Sequence, residues 1–237
     1  MTDFIFVSCV SQINVAQRHL LTSPCLAPGG HPLVLYQNAR SAAQAVNMVL
    51  DSKPAARWLV WVHQDVFLPA GWDALFAQGL NEAQRCWPSL AVAGVYGVQG
   101  SGPQALRGGQ VLDRGTLLQE PGALPMLADS LDELLLAVRT DLPFRLDEAL
   151  GFDFYATDAV LQAQEHGLQA AVVDAFCEHW SDTPSKGATK QRLVQRIAAS
   201  ADVFERKWEH RLPVTTPCFH IMKAGDTLAF MQWAQSQ

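Results

Sequence analysis

The sequence has no basic cluster, no Cys-x-x-Cys pair and no apolar run long enough to cross a bilayer, and each lack narrows the function. Lys and Arg total 17 against 23 Asp and Glu, a net charge of −6 over 237 residues. A chain of that sign offers duplex nucleic acid no counter-charge, so nucleic acid is not the expected partner. An anionic substrate would need a metal ion or a few well-placed cations. The five cysteines (Cys9, Cys25, Cys86, Cys177 and Cys218) are odd in number and widely spaced. They read as reduced thiols of a cytoplasmic protein rather than as a disulfide framework or a zinc site. The opening MTDFIFVSCV carries an acid and no basic segment, and its apolar stretch is too short for a membrane span. Neither a signal peptide nor a transmembrane segment is expected. Internal repeats and low-complexity segments are absent as well.

What is present is an alternation of short apolar runs and amphipathic segments. Hydrophobic residues make up 49% of the chain, enough for one sizeable core. Phe4 to Val10, Leu33 to Tyr36, Trp58 to Val62 and Leu90 to Val98 are continuously apolar and read as buried strands. Ser41 to Leu50, with Ser41 as N-cap, and Gly71 to Trp87 read as helices. Continuous rather than alternating runs imply a mostly parallel sheet covered by helices on both faces. Residues 99 to 125 are rich in Gly and Pro and predict a hairpin, Gln110 to Leu112 with Thr116 to Gln119. Leu134 to Arg139 predicts a strand, Phe154 to His166 a helix stopped by Gly167, and Leu168 to Ala175 another strand. Thr183 to Gly187 predicts a loop and Lys190 to Trp208 a helix. The expected organisation is a domain over 1–182 and a C-terminal helical extension over 183–237 packed on it.

In an open parallel sheet, ligands gather at the carboxyl ends of strands. WLVWVHQDVFLPAGW, residues 58 to 72, ends its apolar run in His63, Gln64 and Asp65. A strand repeat of two sends His63 and Asp65 to one side, roughly 7 Å apart, with Gln64 opposite. An imidazole and a carboxylate aimed into one crevice suit a divalent cation; a local hydrogen bond and a turn cap would use the same residues. A second group of acids, Asp147, Glu148, Asp153 and Asp158, occupies PFRLDEALGFDFYATD. Asp158 falls in the first turn of its helix, where the helix dipole favours an acid and where a general base could also stand. His179 follows the expected strand Leu168 to Ala175. Phe152, Phe154, Tyr155 and Trp180 fit either a core or a stacking surface for sugar rings.

Taken in order, SAAQAVNMVLD, WLVWVHQDVFLPAGW, FRLDEALGFDFYATDAVLQAQEHGL and VVDAFCEHWS resemble a branch of the family 2 glycosyltransferases with the GT-A fold. In that branch a His-Gln-Asp-Val sequence stands where relatives carry the Asp-x-Asp metal motif. The likeness runs from about residue 4 to 181. It implies a GT-A-like α/β domain that moves a sugar from a nucleotide-diphosphate donor to a hydroxyl acceptor, with inversion. It also implies a divalent cation, Mn²⁺ or Mg²⁺. Asp65 matches the last acid of the motif and His63 its first position, open to the ion or the diphosphate, and His179 matches a late metal-binding histidine. Asp158 matches the catalytic base, and Asp147 and Glu148 lie on the acceptor side. Asn38 and Asn47 fall along the nucleotide pocket, with Gln64 and Trp180 as further substrate contacts. The resemblance favours a UDP-sugar donor and a glycan or other hydroxyl acceptor, met in the cytoplasm or at the inner membrane face. Two other readings use the same residues: a GT-A-fold protein that binds sugar nucleotides or glycans without turnover, and a metal-dependent hydrolase built on His63, Asp65 and His179.

Overall fold

The structure, a computed structural model, describes residues 3–181 and 187–236. In chain order these form β1 (Phe4–Cys9), α1 (Ile13–Arg18), β2 (Leu33–Tyr36), α2 (Ala42–Asp51), β3 (Trp58–Val62), β4 (Val66–Phe67) and α3 (Trp72–Cys86). There follow β5 (Leu90–Gly94), β6 (Tyr96–Gln99), β7 (Leu106–Asp113), β8 (Thr116–Gln119), β9 (Met126–Leu127), β10 (Ser130–Leu131) and β11 (Leu135–Arg139). The remainder adds α4 (Tyr155–Glu165), β12 (Gln169–Val172), β13 (Cys177–His179), α5 (Gly187–Lys207), β14 (Val214–Thr215), β15 (His220–Ile221) and α6 (Asp226–Ser236).

The large sheet has the order β2-β1-β3-β11-β5-β12-β9. β1 runs parallel to β2 and β3, and β5 parallel to β12, while β11 and β9 are antiparallel to their neighbours. This is the mostly parallel sheet that the apolar runs imply. Both faces are buried, by strict alternation. In β3, Leu59 and Trp61 meet α2 and α4 in one core layer, while Trp58, Val60 and Val62 meet Trp72, Phe76 and Leu80 of α3 in the other. Ser41 caps α2 as expected, its hydroxyl accepting from the Gln44 amide. Gly167, with a φ of 69°, stands just past the end of α4 in the left-handed region that glycine tolerates.

Two expected strands are each split. The run from Leu90 to Val98 bends at Val95, so that β5 stays in the large sheet and β6 leaves for a second one. Leu168 to Ala175 is regular only over β12. The chain then crosses to the second sheet as β13. The break at Val95 lies inside an apolar stretch buried on either side of the bend, while the break after β12 holds the exposed Asp174 between buried neighbours. The second sheet, β10-β6-β7-β13-β4 with β8 on β7, contains the predicted hairpin, longer on its first strand than expected.

The loop expected over Thr183 to Gly187 lies outside the described residues except for Gly187, which opens α5; the 182/183 boundary lies outside them too. The last segment packs onto a third cluster in which Phe204 of α5 and Trp208 just beyond it meet Leu150, Phe154 and Leu161, together with Val214 and Ile221 of the short β14–β15 pair. No helix among the described residues is long and apolar enough to cross a membrane.

Candidate metal centre

The carboxyl end of β3 delivers His63, whose amide donates to the Leu134 carbonyl at 3.0 Å as the chain leaves the sheet. Three residues on, Val66 enters β4 and pairs antiparallel with His179 of β13, and the Trp180 amide closes on the Asp65 carbonyl at 2.9 Å. This pairing sets His179 beside Asp65. His63, Asp65 and His179 each offer a ligand atom, all within 4.8 Å of one another. Asp65 Oδ1 lies 3.9 Å from His63 Nδ1 and 3.5 Å from His179 Nε2.

The hydrogen bonds around the cluster fix which nitrogens carry protons. The Tyr155 hydroxyl donates to the Glu133 carbonyl at 2.6 Å and accepts from Trp61 Nε1 at 2.8 Å. Its proton is therefore spent, and His63 Nε2, 2.9 Å away, must donate to it. His63 then turns the lone pair of Nδ1 toward Asp65. Burial and the neighbouring His179 push the His63 pKa down to about 4, so the ring is neutral at pH 7. His179 Nδ1 lies 2.8 Å from Asp113 Oδ1, an acceptor, and must donate there. Its Nε2 is buried without a hydrogen-bond partner. Burial works against a charge on His179, but Asp65 and Asp113 outweigh it and raise its pKa. The same two histidines hold Asp65 below the usual carboxylate range despite its burial.

Three acceptor atoms thus converge with no proton to share between them in the neutral-histidine state. That arrangement is costly unless a cation sits among them, and the orphaned His179 Nε2 is the atom it would relieve most. Two imidazoles and a carboxylate are a donor set for a divalent first-row ion with open positions left over for oxygen ligands. The residues present fit such an ion.

Other expected residues lie elsewhere. Gln64 turns away from the cluster, accepting from the Ser11 and Gln12 amides, both at 3.1 Å, and so ties the end of β1 to the end of β3. Asn38 is exposed just past β2 with a φ of 58°. Asn47 is buried and clamps the Leu146 main chain, donating at 2.9 Å and accepting at 3.0 Å. Its amide is committed to the 146 segment rather than to a nucleotide pocket. Trp180 is 40% exposed, stacks on His19 at 6.0 Å and donates to Glu178.

The acids of 147–158 do not join the metal cluster. The Asp158 carboxylate has no exposed surface and is held by Lys207 at 2.7 Å, Trp208 Nε1 at 2.9 Å and Gln162 at 2.7 Å. A base expected to meet an acceptor hydroxyl is here sealed by α5. Asp147 caps the Ala149 amide and pairs with Lys207 at 3.0 Å. Glu148 turns to Asn47 at 3.3 Å and to Arg40 at 4.0 Å.

The sequence reading missed the part played here by five residues. Asp113 reaches His179 through the hairpin. Tyr155 fixes the His63 tautomer. Asp132 and Glu133 precede β11, which runs against β3, so the start of one strand meets the end of the other. Burial, with Asp153 and Asp132 adding to it, raises the Glu133 pKa well above the carboxylate range. Arg196 of α5, held by Asp153 at 2.9 and 3.0 Å, extends its field to both His63 and Glu133. An acid pair immediately before an apolar strand was the only visible signal, and it needed the strand's direction to be read.

No protein-family model and no curated protein matches the sequence. Among solved structures, a mannosyltransferase, PcManGT from Pyrobaculum calidifontis in complex with GDP-Man and Mn²⁺, superposes with a TM-score of 0.51 over 99% of this chain and 72% of its own, at 13% identity. The fold is GT-A-like. Two other transferase structures match less well. GalNAc-T7 with UDP, GalNAc and Mn²⁺ gives a TM-score of 0.44 at 10% identity, over 98% of this chain and 54% of that one. TarS from S. aureus gives 0.42 at 14% identity, over 85% and 65%. At these identities the likeness speaks to architecture: a GT-A-like sheet whose β3 ends in the His63–Asp65–His179 cluster.

Proposed function

We propose that this chain is a metal-dependent glycosyltransferase that moves a sugar from a nucleotide-diphosphate donor to a hydroxyl acceptor with inversion. The observation that carries the reading is the convergence of His63 Nδ1, Asp65 Oδ1 and His179 Nε2 at the carboxyl end of β3, the edge where such sheets bind ligands. His63, Asp65 and His179 hold the ion. When bound, it supplies a Lewis acid against the negative charge that collects on the departing diphosphate. Arg196 is kept in place by Asp153, which the Ser200 hydroxyl also holds, and its charge reaches His63.

The acceptor hydroxyl must give up a proton as it attacks. We assign that task to Glu133 rather than to Asp158. Glu133 keeps part of its surface open, and burial, with Asp153 and Asp132 nearby, strengthens its hold on a proton. Asp158 instead anchors α5. Trp180, stacked on His19 next to the metal ligand His179, offers an aromatic face to the donor. The PcManGT complex holds GDP-Man and Mn²⁺; for this chain the donor expectation remains a UDP-sugar, with a glycan hydroxyl as acceptor. The deciding experiment is a thermal-shift panel of sugar nucleotides with and without Mn²⁺. Stabilisation by at least one of them, dependent on Mn²⁺ and followed by sugar transfer, is the expected result. Stabilisation with no turnover toward any hydroxyl acceptor would leave a binding protein. Bound zinc without nucleotide binding would leave a hydrolase.

A further inference from the structure

We propose that Asp113 is a positioning residue for His179, and that the β7–β8 hairpin is thereby a wall of the metal centre. The inference rests on the metal reading of the His63–Asp65–His179 cluster. Its starting point is register. β13 and β7 run parallel, with Cys177 beside Val111, Glu178 beside Leu112 and His179 beside Asp113. The last pair places an imidazole and a carboxylate on the same side of adjacent strands. Asp113 Oδ1 accepts from His179 Nδ1 at 2.8 Å. The other carboxylate oxygen, Oδ2, is taken by Arg114, from Nε at 3.0 Å and Nη2 at 2.9 Å.

The next residue holds the same histidine by its main chain. The Arg114 amide donates to the His179 carbonyl at 2.8 Å. Arg114 and Gly115 are the two central residues of the hairpin turn, with φ of 49° and 79°. A two-residue hairpin of this kind needs positive φ at both positions, which glycine meets freely and arginine only at a cost. The Arg114 amide bond to β13 and its guanidinium bond to Asp113 offset that cost. One dipeptide therefore grips His179 by ring and by backbone.

The chemical consequence follows from the two nitrogens of imidazole. A proton held on Nδ1 by a carboxylate leaves the lone pair on Nε2 and fixes the ring plane, as second partners of metal-bound histidines do. Without Asp113 the ring is free to carry its proton on Nε2, where it blocks the ligand position. Arg114 occupies the other oxygen of Asp113, which leaves Oδ1 facing Nδ1.

Calorimetric titration of the full chain with Mn²⁺, paired with the visible absorption of the Co²⁺-loaded protein, tests this. Asp113→Asn keeps an acceptor oxygen but loses the charge; Asp113→Ala loses both. Mn²⁺ affinity is expected to fall on the order of 10-fold in the first and up to about 100-fold in the second. The Co²⁺ bands should shift in both, with the metal-free melting temperature of Asp113→Asn close to that of the unaltered protein. If Asp113→Ala does not fold, Asp113→Asn carries the test alone. Mn²⁺ affinity and Co²⁺ bands unchanged in the Asn variant would overturn the role of Asp113 while leaving the centre standing. Failure of the unaltered protein to bind Mn²⁺ or Co²⁺ would remove the centre itself. His179→Ala, expected to abolish binding, separates the two cases.

Discussion

The Lys207 ammonium lies 2.7 Å from the Asp158 carboxylate, which has no solvent exposure at all. A buried acid with one cationic partner, an indole N–H and an amide donor depends on all three. Asp158→Asn leaves Lys207 paired with Asp147 at 3.0 Å but sets an amide N–H against donors in a fully buried place, and should cost about 1–3 kcal/mol, the range for a buried polar group left unsatisfied. Urea denaturation reads this directly. Mn²⁺ affinity should not change. A variant as stable as the unaltered protein but devoid of turnover would return Asp158 to the chemistry.

Glu133→Gln makes the complementary case. The variant should retain donor and metal affinity and lose turnover by at least ~100-fold, as removal of a general base does. Steady-state kinetics beside calorimetry of the donor separates the two quantities. Undiminished turnover in Glu133→Gln would strike it from the mechanism.

Asp65→Ala should abolish Mn²⁺-dependent nucleotide binding. Asp65 is the sole carboxylate among the three clustered ligand residues, and it lies within 4 Å of both histidines. Equal nucleotide affinity in the variant and the unaltered protein, measured in Mn²⁺, would count against the ion's placement here.

The identity of the ion follows from the donors. Two nitrogens and one carboxylate favour a first-row transition ion over Mg²⁺, which prefers oxygen ligands and keeps its waters. His63→Asp, which restores a second acid, should narrow the ratio of Mn²⁺ to Mg²⁺ affinity. Competition titration reads that ratio, and an unchanged value would mean that His63 does not bind the ion.

Asp147 gives the protein a stability dependence on acid. Burial alone would raise its pKa, but the Lys207 ammonium and the Ala149 amide outweigh burial and hold it below the ordinary 3.8. A folded-state pKa below the unfolded value means that the unfolded chain binds the proton first. The stabilisation is therefore complete above the ordinary carboxylate range and drains away as pH falls from about 4 through the lowered folded value. Asp147→Asn should flatten that part of the acid denaturation profile. A profile of unchanged slope would assign the acid sensitivity elsewhere.

The sheet was legible because its inner strands are apolar on both faces, and β1, β2 and β3 fall where their runs predict. The split at Val95 was hidden for the same reason, since a bend between two buried strands leaves no polar mark there; the split after Val172 carries one exposed acid, Asp174. His63 and Asp65 could be found from a single strand end. Asp113 could not, since its partner is set by the register of β7 against β13 in a second sheet. Glu133 needed the reversed direction of β11. Asp158 reads in sequence as an acid in a first helical turn, and nothing near it announces Lys207 or Trp208, which close over it.

The centre depends on very little secondary structure. β4 has two residues and β13 three, and together they decide whether His179 meets Asp65 and Asp113. A shift of β13 by a single position would bring Glu178 or Trp180 into that place and face the imidazole the other way. The crossing between β12 and β13 is thus the segment in which a one-residue insertion should silence the protein while its large sheet stays folded, and a change in length there would do what many substitutions in the core would not.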